Sequence, residues 1–379
     1  MGKGDGKLNR YRLVRGSEVQ DFLRCRKRWK WRWVDKLAPK RQDGKLFFGN
    51  LFHKFVEEYY NSGQNQGAGF FQMQTLFHET DTSRLEQVEV DEVWNLADAV
   101  TEKYVQMWKE ADKKIQVIAT EFTFAIPLAE GIAYTGTIDM IYLDSDGRLW
   151  FKDYKTTNTV DKYIKKAKMD RQISRYFWAL NQLAEGNGYV WISETEEWKP
   201  AGEWAYQTVG ALPKPHGFIY DVVARKVPKV PEILKKGGLS KNKAQDTTYA
   251  TYLKALHDNN LLMEDGTVPS EYEEILDHLK SQEDEYGNRF FKRIQVFRHS
   301  EELESAIQEF FAAAVEMVKL KETIENGTYE KMEYDPIYRN ITDDCSWDCP
   351  FEGLCVADMD GSYTERNDEL GQEYLYIGN

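Results

Sequence analysis

Behind Ser17, apolar residues recur at helical spacing at Val19, Phe22 and Leu23, with Glu18 and Asp21 suited to the positive end of a helix. The same periodicity predicts helices over about 49–60 and 88–109, with residues 63–69 between them reading as loop. From Val117 the period changes. Residues 118–127 and 134–143 alternate as strands, and the turn Asp144-Ser145-Asp146-Gly147 leads into a third strand over 148–154, completing a hairpin. Ile173, Tyr176, Phe177 and Leu180 mark a following helix, and residues 217–224 read as another strand. Strand character returns over 289–298, and an amphipathic helix covers 301–322. Strands mixed with helices in this order fit an α/β (α+β) core.

The organisation that follows is a disordered leader over 1–16, a helical region over 17–116 and a core over 117–224. An insertion over 225–290, marked by Pro228, Pro231, Gly237-Gly238 and many lysines, precedes a C-terminal strand, helix and cysteine-rich tail over 291–379. There is no internal repeat. Eleven tryptophans and 22 tyrosines in 379 residues argue for a packed chain rather than a disordered one. The formal net charge of −13 is not that of a nucleic-acid binder in sum, but local distribution matters more than the total. Residues 24–41 carry nine basic residues against one acid, interleaved with Trp29, Trp31 and Trp33. Two readings of this tract stand side by side. In one, Arg24, Arg26 and Arg28 bind DNA phosphates and Trp29, Trp31 or Trp33 stacks on unpaired bases. In the other, the tryptophans anchor a core and the basic residues form a solvated face. A polar N-terminus and the lack of any apolar run of about 20 residues point away from a secretory signal and a membrane partner, towards the cytoplasm.

The chemistry concentrates in Gly136-Thr137-Ile138-Asp139, the turn, and Asp153-Tyr154-Lys155. Residues two apart on a strand share a face, so Asp153 and Lys155 project together, and Asp139 on the partner strand can approach them. Two carboxylates at close range repel unless a cation neutralises them, and oxygen donors favour Mg²⁺ or Mn²⁺. Downstream, Gln172 and Tyr176 sit four residues apart on one helix face. Upstream, Gly49-Asn50-Leu51-Phe52-His53 places a histidine on a helix.

These four elements, in this order, resemble the PD-(D/E)XK nucleases, particularly the RecB-like branch. Ile138 stands where the superfamily's name has proline. The resemblance implies a restriction-endonuclease-like core, a central mixed sheet flanked by helices. It further implies a metal held by His53, Asp139, Asp153 and the Tyr154 carbonyl, with Asp139, Asp153, Lys155, Gln172 and Tyr176 catalytic. Glu121, on the strand before Asp139, reads either as an auxiliary ligand or as a surface glutamate.

Cys345, Cys349 and Cys355 lie within eleven residues of one another, with Cys25 some 320 residues earlier. One N-terminal and three C-terminal cysteines resemble the AddB-type and CRISPR-associated RecB-like exonucleases, which implies a [4Fe–4S] cluster joining the two ends. Zinc and unliganded buried thiols are the other readings. The resemblance implies a DNA exonuclease of recombination, repair or phage DNA processing, with single-stranded DNA or duplex ends as partner and a helicase or recombination subunit beside it. The alternative is a catalytically silent, nuclease-like DNA-binding subunit.

Overall fold

The alternation over the middle of the chain becomes three long antiparallel strands, around which the other elements assemble. The computed structural model describes residues 8–40, 43–85, 87–331, 333–360 and 374–376. Strand β1 (Arg12–Arg15) runs directly into α1 (Gly16–Arg24), followed by a short α2 (Arg26–Trp29), a π-helical turn and β2 (Leu37–Pro39). Helices α3 (Gly44–Asn61), α4 (Gln66–Glu79) and α5 (Gln87–Asp112) come next. Then follow β3 (Gln116–Ala129), β4 (Ile132–Leu143) and β5 (Leu149–Thr157). After α6 (Asp161–Ala167) and α7 (Arg171–Ala184), the hairpin β6 (Tyr189–Ile192) and β7 (Glu197–Pro200) leads to α8 (Ala201–Val209) and β8 (Pro215–Ala224). Helices α9 (Tyr249–Asp258) and α10 (Ser270–Ser281) precede β9 (Phe291–Val296) and the long α11 (Ser300–Glu325). The tail holds α12 (Cys345–Asp348), α13 (Glu352–Asp360) and β10 (Tyr374–Tyr376), which pairs with β2.

The main sheet has the order β7-β6-β3-β4-β5-β8-β9, with β1 added beside β4. The β5–β8 and β1–β4 pairs are parallel and the rest antiparallel. Alternation along β5 distributes the helices. Phe151 packs on Phe177 of α7, whereas Tyr154 meets Phe52 of α3 and Tyr104 of α5. Odd positions of β5 therefore face the α7 side and even positions the α3–α5 side, giving three layers.

Several sequence expectations need correction. Residues 1–16 are not a disordered leader throughout: Leu8–Arg10 form a 3₁₀ turn and β1 joins the sheet, with Val14 buried. One inward-facing apolar residue in a four-residue strand is too weak a pattern to detect. Residues 1–7 lie outside the described residues. Helix α4 begins inside the expected 63–69 loop, capped by Asn65, whose side chain accepts from the Gly67 and Ala68 N–H groups. Gly69 there serves packing rather than a turn, since a Cβ would lie 2.9 Å from the Phe55 carbonyl oxygen of α3. Strands β1 and β9 lie outside 117–224 yet belong to the same sheet. The segment 225–290 is an excursion between the antiparallel partners β8 and β9, with its own small core of Leu239, Tyr252, Leu256, Tyr272, Ile275 and Leu279. No helix among the described residues is long and apolar enough to cross a membrane.

One feature of the sheet prepares the site. Strand β4 pairs with β5 only over Met140–Leu143, and with β1 only over Ile132–Thr135. Between them β4 and β5 splay apart, leaving the Gly136–Asp139 edge and the Asp153–Thr157 edge facing a gap.

Candidate active site

Backbone groups left open by a splayed ladder need other partners. Asp139 Oδ2 accepts from the Tyr154 N–H at 2.7 Å, bridging the gap from β4 to β5. From α3, His53 Nε2 donates to the Tyr154 carbonyl at 3.1 Å, while its Nδ1 lies 3.6 Å from Asp139 Oδ2. On β3, Thr120 pairs with Met140 and Phe122 with Ile138, so Glu121 lies across from Asp139. Ligand atoms of His53, Glu121 and Asp139 all fall within 4.8 Å of one another. Asp153 is buried, and Lys155 contacts its Oδ2 from two residues along the same face.

Carboxyl groups crowd one another here, and their charges oppose. Desolvation by the surrounding chain, then the neighbouring Asp139 and Glu57 carboxylates, push Glu121 up to about 8, although the residue keeps an exposed side. Burial and Asp139 likewise raise Asp153 to about 6, against the opposing pull of Lys155. Burial would lower the Lys155 ammonium, but the Asp153 and Asp139 carboxylates outweigh it and hold it well above the usual lysine range. Acids resisting ionisation beside an imidazole and a backbone carbonyl form a hard-donor set, suited to a divalent cation. His53, Glu121, Asp139, Asp153 and the Tyr154 carbonyl could hold one.

Helix α7 closes the site from the other side. Gln172 Nε2 donates to the Tyr176 hydroxyl at 3.0 Å, and that hydroxyl donates to the Thr137 carbonyl at 2.6 Å, two residues before Asp139. Two residues missed in the sequence support this arrangement. Asp170 caps α7 by accepting from the Gln172 N–H at 2.8 Å, and it also accepts from the Tyr220 hydroxyl. Tyr220 pairs with Asp153 across β5–β8, and its ring lies 5.9 Å from Lys155 Nζ. An aspartate two residues before Gln172 is a readable capping signal; the parallel register that brings Tyr220 in is not.

The four cysteines come together from opposite ends of the chain. Cys25 follows α1, Cys345 opens α12, and Cys349 and Cys355 flank the start of α13; all four line one cavity of about 220 Å³ with Arg28, Trp31 and Arg339. Cys345 Sγ accepts from the Thr342 N–H at 3.4 Å. Burial pushes the Cys349 and Cys355 thiols up, with Arg28 and Arg339 respectively opposing that shift.

The DNA-contact reading of the basic tract is corrected at Trp29. Its ring is fully buried, edge-on to Phe22, and has no face left for a base. The arginines are engaged within the chain. Arg24 bonds Asp344 and Asp348 at 2.7 Å each, Arg26 contacts Glu316 and the Pro336 carbonyl, and Arg28 bonds Asp21 at 2.8 Å.

A family model described as the PD-(D/E)XK nuclease superfamily matches residues 16–356. No curated protein matches the chain. The mixed α/β architecture, with a central mixed sheet between helical layers, is the fold that the sequence resemblance implied. The chain belongs to the PD-(D/E)XK nuclease superfamily, whose members are generally phosphodiester hydrolases that use divalent metals.

Proposed function

We propose that this protein is a DNA exonuclease of the RecB-like branch, acting on single-stranded or end-containing DNA in recombination, repair or phage DNA processing. The observation that carries this reading is the convergence of His53, Glu121 and Asp139 ligand atoms within 4.8 Å, beside Asp153 and its ion-paired Lys155. His53, Glu121, Asp139, Asp153 and the Tyr154 carbonyl would hold Mg²⁺ or Mn²⁺; that carbonyl has a second lone pair beyond the one used by His53. A cation bound there polarises the scissile phosphate and lowers the pKa of a bound water. Lys155 orients the attacking water and offsets negative charge growing on the phosphate oxygens. As the water oxygen bonds to phosphorus, the P–O bond to the leaving strand breaks. Gln172 and Tyr176, fixed to β4 through Thr137, position the strand for that attack.

The cysteine cavity belongs to the same reading, as a site for a [4Fe–4S] cluster. A single zinc with Zn–S bonds of about 2.3 Å draws its sulfurs to roughly 3.8 Å apart. All four cysteines line one cavity of about 220 Å³, a shared space whose four thiolates suit a cluster. The reducing cytoplasm suits such a site. A helicase or recombination subunit would supply the DNA end. In the alternative, a silent DNA-binding subunit, the same fold would bind without turnover; the complete donor set and Lys155 favour the enzyme.

Digestion of end-labelled single- and double-stranded DNA with Mg²⁺ or Mn²⁺ tests the proposal. The wild-type protein should release short products, and Asp153→Ala should abolish cleavage while leaving the protein folded. Cleavage by Asp153→Ala at the wild-type rate would overturn the site assignment.

A further inference from the structure

We propose that Arg15 and Arg175, which line one cavity at the first turn of α1, form a phosphate-binding subsite for the DNA strand beside the Gln172–Tyr176 pair. The inference rests on the nuclease reading and gives that active site a defined anchor for its substrate.

Arg175 lies on α7, is 8% exposed, and its Nε has no hydrogen-bond partner. Among the described residues no carboxylate reaches its guanidinium; its partners are the Tyr134 hydroxyl, which accepts from it, and the Phe310 ring, whose centroid is 5.2 Å away. A buried cation without an anion is costly. Its placement makes this worse. A Cβ on Gly16 would lie 3.1 Å from both Nε and Nη2 of Arg175, so the guanidinium packs against the first residue of α1. That end of the nine-residue α1 carries the positive pole of the helix dipole, and its N-cap, Arg15, offers no side-chain acceptor to the open N–H groups. Arg15 itself is exposed and forms no ion pair among the described residues.

Two arginines and a helix N-terminus repel one another unless an anion joins them, and together they match a phosphate in charge and donor geometry. The space for it exists. A cavity of about 370 Å³ is lined by Arg15, Gly16, Ser17, Gln172, Arg175 and Tyr176. Through the Tyr176–Thr137 bond the cavity wall is tied to β4 two residues from Asp139, which sets the cavity alongside the strand that carries the metal-site aspartate.

The test uses the full chain, first stripped of divalent metal with a chelator so that binding is read without turnover. Binding of labelled single-stranded oligonucleotides is measured against salt, with inorganic phosphate as competitor, for the wild type, Arg15→Gln and Arg175→Gln. Each variant should bind several-fold more weakly, with a salt slope reduced by about 0.7 for one lost phosphate contact. Inorganic phosphate should compete with the wild type and lose that effect in the variants. Oligonucleotides with 5′-phosphate, 3′-phosphate or unmodified ends separate two sources: a defect confined to one phosphorylated end assigns a terminal phosphate, and an equal defect assigns an internal one. Arg15 is exposed, so Arg15→Gln keeps the test valid should Arg175→Gln unfold. Folded Arg15→Gln with wild-type affinity, salt slope and KM for cleavage would overturn the subsite while leaving the nuclease reading intact. A wild type that cleaves no DNA, yet binds phosphate in an Arg15-dependent way, would overturn the nuclease reading alone.

Discussion

At the scale of single residues, Glu121 gathers the tension of the site. It sits in β3 at φ 46°, a left-handed conformation uncommon for a residue with a side chain, directly across from Asp139. Its carboxyl, raised to about 8, resists ionisation in the fold, whereas in the unfolded chain it ionises near the ordinary glutamate value. The contribution of this group to stability is therefore lost as pH rises from about 4.5 to about 8, because the unfolded state gains the charge first, an effect moderated by the solvent that reaches Glu121. Glu121→Gln removes that penalty. It should raise the melting temperature of the chelated protein at pH 8 more than at pH 5, and weaken Mn²⁺ binding by an order of magnitude or more, on the order of a ligand-shell loss. Melting curves at both pH values and Mn²⁺ titration calorimetry check this; an equal effect at both pH values would remove Glu121 from the titrating cluster.

At the scale of elements, the sheet and the α5 layer are joined by buried charge. Lys152 of β5, 1% exposed, points away from Asp153 into a group formed by Asp112 at the end of α5, Asp221 of β8 and Arg293 of β9. Arg293 bonds Asp112 at 2.7 and 2.8 Å and Asp221 at 2.9 Å, while Tyr60 and Tyr104 donate to the same two acids. Two acids and two bases balance, so the group is neutral in sum. Burial would raise Asp112, but Lys152 and Arg293 outweigh it and lower its pKa to about 2. Here the folded pKa lies below the unfolded one, so the stabilisation is present above about pH 4 and lost as pH falls towards 2, a contribution of about 2 kcal/mol. Asp112→Asn should destabilise by about 3 kcal/mol, because it leaves Lys152 and Arg293 short of an anion in a dry interior. Urea unfolding at pH 7 and pH 3 measures both: the variant's deficit should shrink at pH 3, and a constant deficit would contradict the assigned linkage.

Across the whole molecule, the basic N-terminal tract meets the acidic tail. Arg24 binds Asp344 and Asp348, Lys27 lies 3.3 Å from Asp358, Arg339 reaches the same carboxylate, and β10 pairs with β2. Exposed pairs of this kind contribute about 0–1 kcal/mol each and weaken in salt, so they align the two ends more than they hold them. The cysteines would do the holding. Joining Cys25 to the tail closes a loop of more than 300 residues, worth on the order of 5 kcal/mol on the disulfide scale. Cys25→Ala should therefore lose iron, melt at lower temperature and lose activity as the α1 segment and the nearby Arg15 come loose. Iron content and melting temperature, measured on one preparation, decide it; four irons per chain at an unchanged melting temperature would end the clamp idea.

The sequence by itself determined what local periodicity and short spacing encode. The β3–β4–β5 hairpins, α7 and α11 follow from alternation and helical period, and Asp139, Asp153, Lys155, Gln172 and Tyr176 fall on them at spacings readable by eye. His53 was legible because four elements appear in order, not because a helical histidine is informative. Tertiary structure decided the rest, for reasons of long-range pairing. The sequence left Glu121 open between an auxiliary ligand and a surface glutamate, and it was the β3–β4 register that set it opposite Asp139. Tyr220 entered through a parallel ladder 67 residues from Asp153. The basic tract changed meaning when its acids arrived from the other end of the chain, and Trp29 proved to be core. Arg175 had only an unremarkable place within Gln172–Tyr176 until α1 was packed against it. Local sequence sets which backbone forms and which face is apolar, but whether a charge meets a partner, a ligand or nothing depends on segments hundreds of residues away.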